Sequence, residues 1–204
     1  ASARNIPHAH ARMTMGQWKR WEHIGTELAG KTLGILGIGR IGTEVAKRAV
    51  ALGMKVIAFD PYVSNREVKL RGARKVSWND FLKKSDCFSL HAPLTEETRG
   101  MLGRKEFGKM KRRVILVNTA RGAIVDKKSL LDVLSKNRIL AAAIDVYDEE
   151  PLHEKDPLRR YARTHKNLIL TPHLGASTLE AVSRASYECA KALENHYRRL
   201  KKFD

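Results

Sequence analysis

The 204-residue sequence predicts an α/β fold: a doubly wound, mainly parallel sheet of about seven strands with helices on both faces. Short apolar runs alternate with helical patterns along the chain, which is how a parallel sheet covered on both sides is written in sequence. The first clear run, LGIL, leads into the glycine-rich turn GIGRIG at Gly37, Gly39 and Gly42, and a helical pattern follows. The second run, VIAFD, ends on an acid, Asp60, eighteen positions after Gly42.

Taken in order, residues 2–20 read as helical apart from Pro7. Strands are expected at 32–37, 55–59, 75–76, 87–90, 114–118, 140–144 and 168–170, with helices at 40–52, 65–71, 78–84, 105–109 and 127–136. Gly53 suits the C-terminal cap of the helix after the glycine turn. Asp126 is a natural N-cap for 127–136, whose Leu130, Leu131 and Leu134 form a buried face. A last long helix over 177–199 opens with STLE, a capping-box pattern in which Ser177 and Glu180 each satisfy an N–H of the first turn. Residues 147–163, rich in Asp, Glu, Arg and Pro, read as a long loop at a strand end, a common place for function.

The glycine turn carries a specific physical logic. Gly37 permits the tight turn from strand to helix, Gly39 lets bare backbone approach a pyrophosphate, and Gly42 lets the helix lie close to the strand. The helix start offers unpaired N–H groups and the positive dipole end to an anion. This is a Rossmann-type turn, and Asp60 completes it by accepting hydrogen bonds from both hydroxyls of an adenosine ribose. A 2′-phosphate there would be repelled, which favours NAD over NADP. The competing reading is a glycine turn that only packs well.

Charge is the unusual property: 39 Lys plus Arg against 22 Asp plus Glu give a net +17. Such a field attracts anions, from nucleotides to nucleic acid. The cations are dispersed, with small clusters at 109–113, 159–163 and 198–202, and no zinc spacing or RNA-binding signature accompanies them. Solvated helix faces are the first explanation, anion steering the second, and nucleic-acid binding a poor third. Cys87 and Cys189 lack disulfide or CxxC spacing and read as reduced thiols. The absence of HExxH or comparable histidine spacing argues against a metal. With no membrane-length apolar run and no basic-then-apolar leader, a soluble, cytoplasmic protein is expected.

Ligands of doubly wound folds bind beyond the carboxyl ends of the strands, and several polar residues are expected there. Arg121 follows the NTA run and can hold a carboxylate bidentately while polarising a carbonyl; the alternative is a surface arginine paired with Asp126. His173, within TPHLGAST, can move a proton near neutrality, and Glu150 can fix its tautomer and raise its pKa. Taken singly, His173 reads as a capping or core histidine and Glu150 as a solvated acid beside Glu149. Asp145 can bond a nicotinamide carboxamide or simply cap its loop.

Together GIGRIG, Asp60, HAPLTEETRG, NTARG, IDVYDEEP and TPHLGAST resemble the D-2-hydroxyacid dehydrogenase family, over essentially the whole chain. GTELAGKTLGILGIGRIG and HLGAST are most similar to the members that act on 3-phosphoglycerate in serine biosynthesis. The resemblance implies Arg121 as the substrate-binding arginine, His173 as the acid/base and Glu150 as its partner. It implies that Arg40 and Ile41 touch the pyrophosphate, Asp60 the ribose and Asp145 the nicotinamide. His91, Ala92, Pro93, Thr119, Ala120, Arg121 and the stretch His173, Leu174, Gly175 and Ala176 would line the cofactor cleft.

The family carries a second, flavodoxin-like substrate domain, so residues 1–204 are expected to be the NAD-binding domain with flanking helices and the substrate domain to be absent. Weak turnover by this chain alone follows, as does a homodimer formed through nucleotide-binding domains; Met13, Met15, Trp18 and Trp21 could supply its surface or equally well pack within the chain. Two alternatives stand beside the enzyme reading. One is an NAD-sensing binding module resembling a corepressor, and the other is a dehydrogenase acting on glyoxylate, hydroxypyruvate or lactate.

Overall fold

The structure is a computed structural model and describes residues 1–200. It divides into two compact units, Ala1–Pro172 and a second that begins at His173. The first unit holds α1 (Ile6–Thr14), β1 (Thr32–Leu36), α2 (Arg40–Ala51), β2 (Lys55–Phe59), α3 (Asn65–Leu70), β3 (Arg74–Lys75), α4 (Trp78–Lys84) and β4 (Cys87–Leu90). It continues through α5 (Arg104–Lys109), β5 (Ile115–Asn118), α6 (Lys127–Ser135), β6 (Ala141–Ile144), α7 (Pro157–Thr164) and β7 (Leu168–Leu170). The second unit consists of a loop and α8 (Leu179–Leu200).

The seven strands form one sheet in the order β3-β2-β1-β4-β5-β6-β7, and every pairing is parallel. Chain order reverses between β1 and β4, the switch point at which such sheets open a crevice. Register aligns Leu36 with Phe59 and Leu90, Leu90 with Asn118, Asn118 with Ile144 and Ile144 with Leu170. The residues that follow these strand ends, Gly37, Asp60, His91, Thr119, Asp145 and Thr171, therefore share one edge.

Successive strand residues point to opposite faces, and the core divides accordingly. On one face Leu36, Phe88, Leu90 and Leu116 meet Phe81 and Leu82 of α4, Phe107 of α5, Leu130 and Leu134 of α6 and Leu158 of α7. On the other, Leu33, Ile35, Val56, Ala58 and Ile115 meet Ala46 and Ala49 of α2 and Val68 of α3, and Ala3 of the opening turn joins them. Both faces are covered, which is why the strands are apolar runs rather than alternating ones.

At the opposite edge Asp86 pins the sheet. Its carboxylate accepts the Thr32 N–H at 2.8 Å and the Lys111 ammonium at 2.8 Å. Burial pushes this carboxyl up, but Lys111 and the Thr32 N–H outweigh that and hold it below the usual range.

Three expectations require correction. The opening segment is not one helix interrupted at Pro7. Pro7 lies within the first turn of α1, where its missing N–H costs nothing, and the chain breaks instead at Asn5 (φ 51°) and Gly16 (φ 74°). The expected loop over 147–163 contains α7, capped by Asp156, whose carboxylate accepts the Leu158 N–H at 2.8 Å. The cap of α8 is Thr178 rather than Ser177: its hydroxyl accepts the Ala181 N–H at 3.0 Å, so the capping box with Glu180 does not form in that register. The expected parallel sheet of about seven strands is present, with every pairing parallel. Of the 198–202 basic cluster, residues 201–202 lie outside the described residues.

Candidate active site

The glycine turn forms because β1 ends beneath it and α2 begins above it. Gly37 has φ 83°, and a Cβ there would lie 2.9 Å from the Ala92 nitrogen. Gly42 faces the Gly37 carbonyl so closely that a Cβ would stand 2.2 Å from its oxygen. Gly39, the N-cap of α2, has nothing within 4 Å of a Cβ position. The tight turn and the close helix therefore belong to Gly37 and Gly42, and the open approach belongs to Gly39. In the first turn of α2, whose first helical bond runs from the Thr43 N–H to the Gly39 carbonyl, the N–H groups of Arg40, Ile41 and Gly42 have no intrahelical acceptor. The Thr43 hydroxyl bonds the Gly39 carbonyl at 2.7 Å and fixes the cap. An open, N–H-lined approach of this kind fits a pyrophosphate.

Asp60 sits at the end of β2, nearly buried at 9% exposure. One carboxylate oxygen accepts the Ile38 N–H at 3.0 Å and the other the Tyr62 N–H at 3.0 Å. Each oxygen keeps acceptor capacity for a ribose hydroxyl. Arg71 holds the next peptide of the turn, donating to the Ile38 carbonyl at 2.7 Å. Sequence reading missed Arg71, since its contact spans thirty-three residues and no motif marks it.

His91 begins the loop after β4, donating its N–H to the Leu36 carbonyl at 2.7 Å while its Nε2 meets the Ser89 hydroxyl at 2.8 Å. Burial holds its pKa below the ordinary imidazole value. Ala92 packs behind Gly37, and the Pro93 carbonyl accepts the Thr98 hydroxyl at 2.8 Å. Farther out, Tyr62 donates to Glu97 at 3.1 Å, joining the loops that follow β2 and β4.

After β5, Asn118 is buried and shapes the next turn: its amide donates to the Arg121 carbonyl at 2.9 Å and its oxygen accepts the Ala120 N–H at 3.0 Å. Thr119 and Ala120 are held inside this turn. Arg121 is exposed, with its guanidinium on the Ala120 carbonyl at 2.6 Å. It does not pair with Asp126, which is engaged as the α6 cap by the Ser129 N–H at 2.8 Å. Gly122 lets the next loop press in, since a Cβ there would lie 2.3 Å from the Tyr147 carbonyl carbon. That loop carries Glu150, whose carboxylate accepts the Tyr147 N–H at 2.9 Å. The loops bearing Arg121 and Glu150 are thus packed together.

Asp145 is buried at the end of β6 and accepts the Thr171 hydroxyl at 2.5 Å. The Tyr147 hydroxyl ties the same two strand ends, donating to the Ile144 and Thr171 carbonyls at 3.2 and 2.9 Å. Tyr147 and Thr171 were also missed, because both act across strands. His173, Leu174, Gly175 and Ala176 open the second unit. His173 adopts φ 54°, and the Leu174 and Ala176 carbonyls accept the Ser177 and Thr178 N–H groups in the turn that leads to α8. Among the described residues, no group of three or more His, Cys, Asp or Glu is placed to hold a metal.

Comparison with known proteins agrees with this geometry. The family model described as the NAD-binding domain of D-isomer specific 2-hydroxyacid dehydrogenase matches residues 1–175. D-3-phosphoglycerate dehydrogenase of Archaeoglobus fulgidus is 44% identical over 181 residues, covering 89% of this chain and 34% of the relative. Hydroxypyruvate reductase of Thermotoga maritima is 42% identical over 193 residues, covering 95% of this chain and 61% of the relative. The structure of D-2-hydroxyisocaproate dehydrogenase superposes with a TM-score of 0.89 at 30% identity, over 97% of this chain and 62% of that one. D-lactate dehydrogenase of Aquifex aeolicus, solved with NAD and lactic acid, gives 0.84 at 29% identity, over 96% and 62%. The chain spans about a third of the length of the phosphoglycerate dehydrogenases it matches. With its parallel sheet, its glycine turn and its acid at the end of β2, the chain belongs to the D-isomer specific 2-hydroxyacid dehydrogenases and matches their NAD-binding domain.

Proposed function

We propose that this chain is the cofactor-binding part of an NAD-dependent dehydrogenase that interconverts a 2-hydroxy acid and its 2-keto acid, with 3-phosphoglycerate as the preferred substrate. The observation that carries the cofactor half is the turn in which Gly39 is open while Gly37 and Gly42 are closed, with Asp60 fixed beside it. The substrate reading is supported by the phosphoglycerate dehydrogenases at 42–44% identity, and a basic chain suits a doubly anionic acid.

In this reading Arg40 and Ile41 hold the pyrophosphate through their N–H groups and Asp60 holds the ribose. Asp145 orients the nicotinamide, while His91, Ala92, Pro93, Thr119, Ala120, Leu174, Gly175 and Ala176 line the cleft. When bound, NAD supplies the acceptor for the hydride at C2. Arg121 grips the substrate carboxylate and polarises the C2 oxygen, and His173 takes the proton from that oxygen. In the reverse direction His173 returns it. Glu150 keeps the imidazole in the tautomer that can do so and stabilises its charged form. On this reading the substrate carboxylate is gripped by a separate substrate domain of the kind the family carries, and turnover by these 204 residues alone is weak. A homodimer through nucleotide-binding domains is part of the proposal, supported by the exposure of Trp18 (79%) and Trp21 (76%).

Calorimetry with NAD and NADP, paired with 3-phosphoglycerate-dependent NADH formation, tests this reading. NAD should bind at least about tenfold tighter than NADP, a difference of about 1.4 kcal/mol. Equal or tighter NADP binding would remove the role given to Asp60, and turnover by this chain at the rate of a complete dehydrogenase would remove the separate-domain reading.

A further inference from the structure

The 39 Lys and Arg are scattered in sequence, but the sheet collects many of them at its N-terminal edge, opposite the glycine turn. Register sets Thr32 beside Lys55 and Ile57 beside Arg74, and Lys31 directly precedes β1. Lys83 and Lys84 end α4 at the same edge, and 111–113 approach it just before β5. Two adjoining grooves result. The first, of about 480 Å³, is lined by Lys55, Arg74, Lys83, Lys84 and Lys111 with Thr32. The second, of about 210 Å³, is lined by Lys31, Arg112 and Arg113 with Thr26 and Asp86. They meet where Lys111 and the Thr32 N–H bond Asp86.

The acids here are already taken. Asp86 is engaged as above and Asp80 pairs with Lys84 at 2.8 Å. Among the described residues, Lys31, Lys55, Arg74, Lys83, Arg112 and Arg113 form no ion pair. The apolar groups in the grooves are strand residues such as Val56, Ile57 and Ile115, all buried. No apolar side chain is available there to enter a bilayer, and no ring is available to stack on a base.

We propose that this edge is a binding track for the phosphodiester backbone of nucleic acid, read without regard to sequence. Neighbouring strands lie about 4.8 Å apart, so the edge from β3 to β5 runs about 19 Å. Six cations free of ion pairs over that length give roughly one positive charge per 3 Å, enough to face several successive phosphates of one strand. Arginine and lysine exposed in a concave groove are the groups that contact phosphates. The five residues of β1 put this edge about 16 Å from the glycine turn, so a strand bound along it does not overlap the proposed cofactor site.

The test is fluorescence anisotropy of the 204-residue chain with labelled oligouridylate and oligothymidylate. With about four phosphate contacts, raising NaCl from about 50 to about 200 mM should weaken binding about 50-fold. The triple variant Lys55→Glu, Arg74→Glu, Lys83→Glu should bind at least tenfold more weakly. Arg159→Glu, Arg160→Glu, Arg163→Glu on α7 makes the same change in net charge and should bind within about twofold of the parent. The milder Lys55→Gln, Lys83→Gln pair covers the case in which charge reversal impairs folding, and it should weaken binding by a smaller but measurable factor. Preference between the two oligonucleotides identifies RNA or DNA as the natural source. The proposal is overturned by equal losses in the two triple variants, by displacement with saturating NAD, or by equally tight binding of polyglutamate or phosphatidylserine vesicles. Absence of oligonucleotide binding at low salt overturns it as well.

Discussion

Gly39→Ala separates binding from folding at the phosphate turn. Gly39 has φ −68° and ψ −157°, backbone that alanine adopts, and a Cβ there meets nothing within 4 Å. The substitution should change stability by no more than about 0.5 kcal/mol, with a small gain available because the unfolded chain loses freedom. The added methyl, however, occupies the space through which, on the proposed function, a pyrophosphate would reach the start of α2. Losing one charge-assisted hydrogen bond costs roughly 1.5–3 kcal/mol, which weakens NAD binding about 10- to 10²-fold. Gly42→Ala is the mirror case. Its Cβ would lie 2.2 Å from the Gly37 oxygen and 3.2 Å from Ile35 Cγ2, so α2 or the turn must move at a cost of about 1–3 kcal/mol. For a chain of this size that lowers Tm by roughly 2–12 °C. Calorimetry with NAD and thermal melting of both variants decide the matter. Parental NAD affinity in Gly39→Ala, or a Tm as low as that of Gly42→Ala, would refute the division of labour between these glycines.

Three further outcomes are expected. Arg71→Met removes the donor to the Ile38 carbonyl and should cost about 0.5–1.5 kcal/mol while weakening NAD severalfold; unchanged NAD affinity would mean that the turn does not depend on this grip. Burial holds the pKa of His91 below 6.5, so the unfolded chain takes up the proton first as pH falls. Stability from this group is complete above about pH 6.5 and declines below it toward the folded pKa, and His91→Asn should flatten that decline in melts from about pH 7.5 to 5.5. The slope is shared with His8, whose pKa is lowered by burial and then by Arg12, His23 and Lys166. Burial pushes the Cys87 thiol up to about 11, whereas Cys189 is exposed. A thiol reagent at mild alkaline pH should therefore modify Cys189 rapidly and Cys87 only on unfolding, and equal rates would contradict the burial of β4.

Most of the sheet was legible because a parallel strand buried on both faces is a short apolar run with sharp ends: 55–59, 87–90 and 168–170 match their strands in full. The glycine turn was legible residue by residue, since a positive φ, an open approach and a close helix each demand glycine for a separate reason. The helix α7 was hidden because, among Pro157–Thr164, only Leu158 is fully buried and the three arginines dominate the pattern. The α8 cap moved by one residue because Ser177 and Thr178 are both competent caps and only the turn geometry chooses between them. Arg71, Thr171 and Tyr147 were unreadable for a deeper reason: each supports the edge through a partner distant in sequence, and local spacing carries no trace of it.

Strand order also dictates a schedule of assembly. During synthesis β1, β2 and β3 emerge together and can pair at once, but the far side of β1 must wait for β4, which begins at Cys87. Until then the backbone edge beside Ile35 and Leu36 is unpaired and apolar, the kind of surface that invites pairing with another chain. Once β4 docks, β5, β6 and β7 each add to the edge formed just before, in the order in which they are made. Growth of the sheet past β1 is therefore sequential once β4 is in place, and a nascent chain halted between β3 and β4 should be the species most in need of a chaperone.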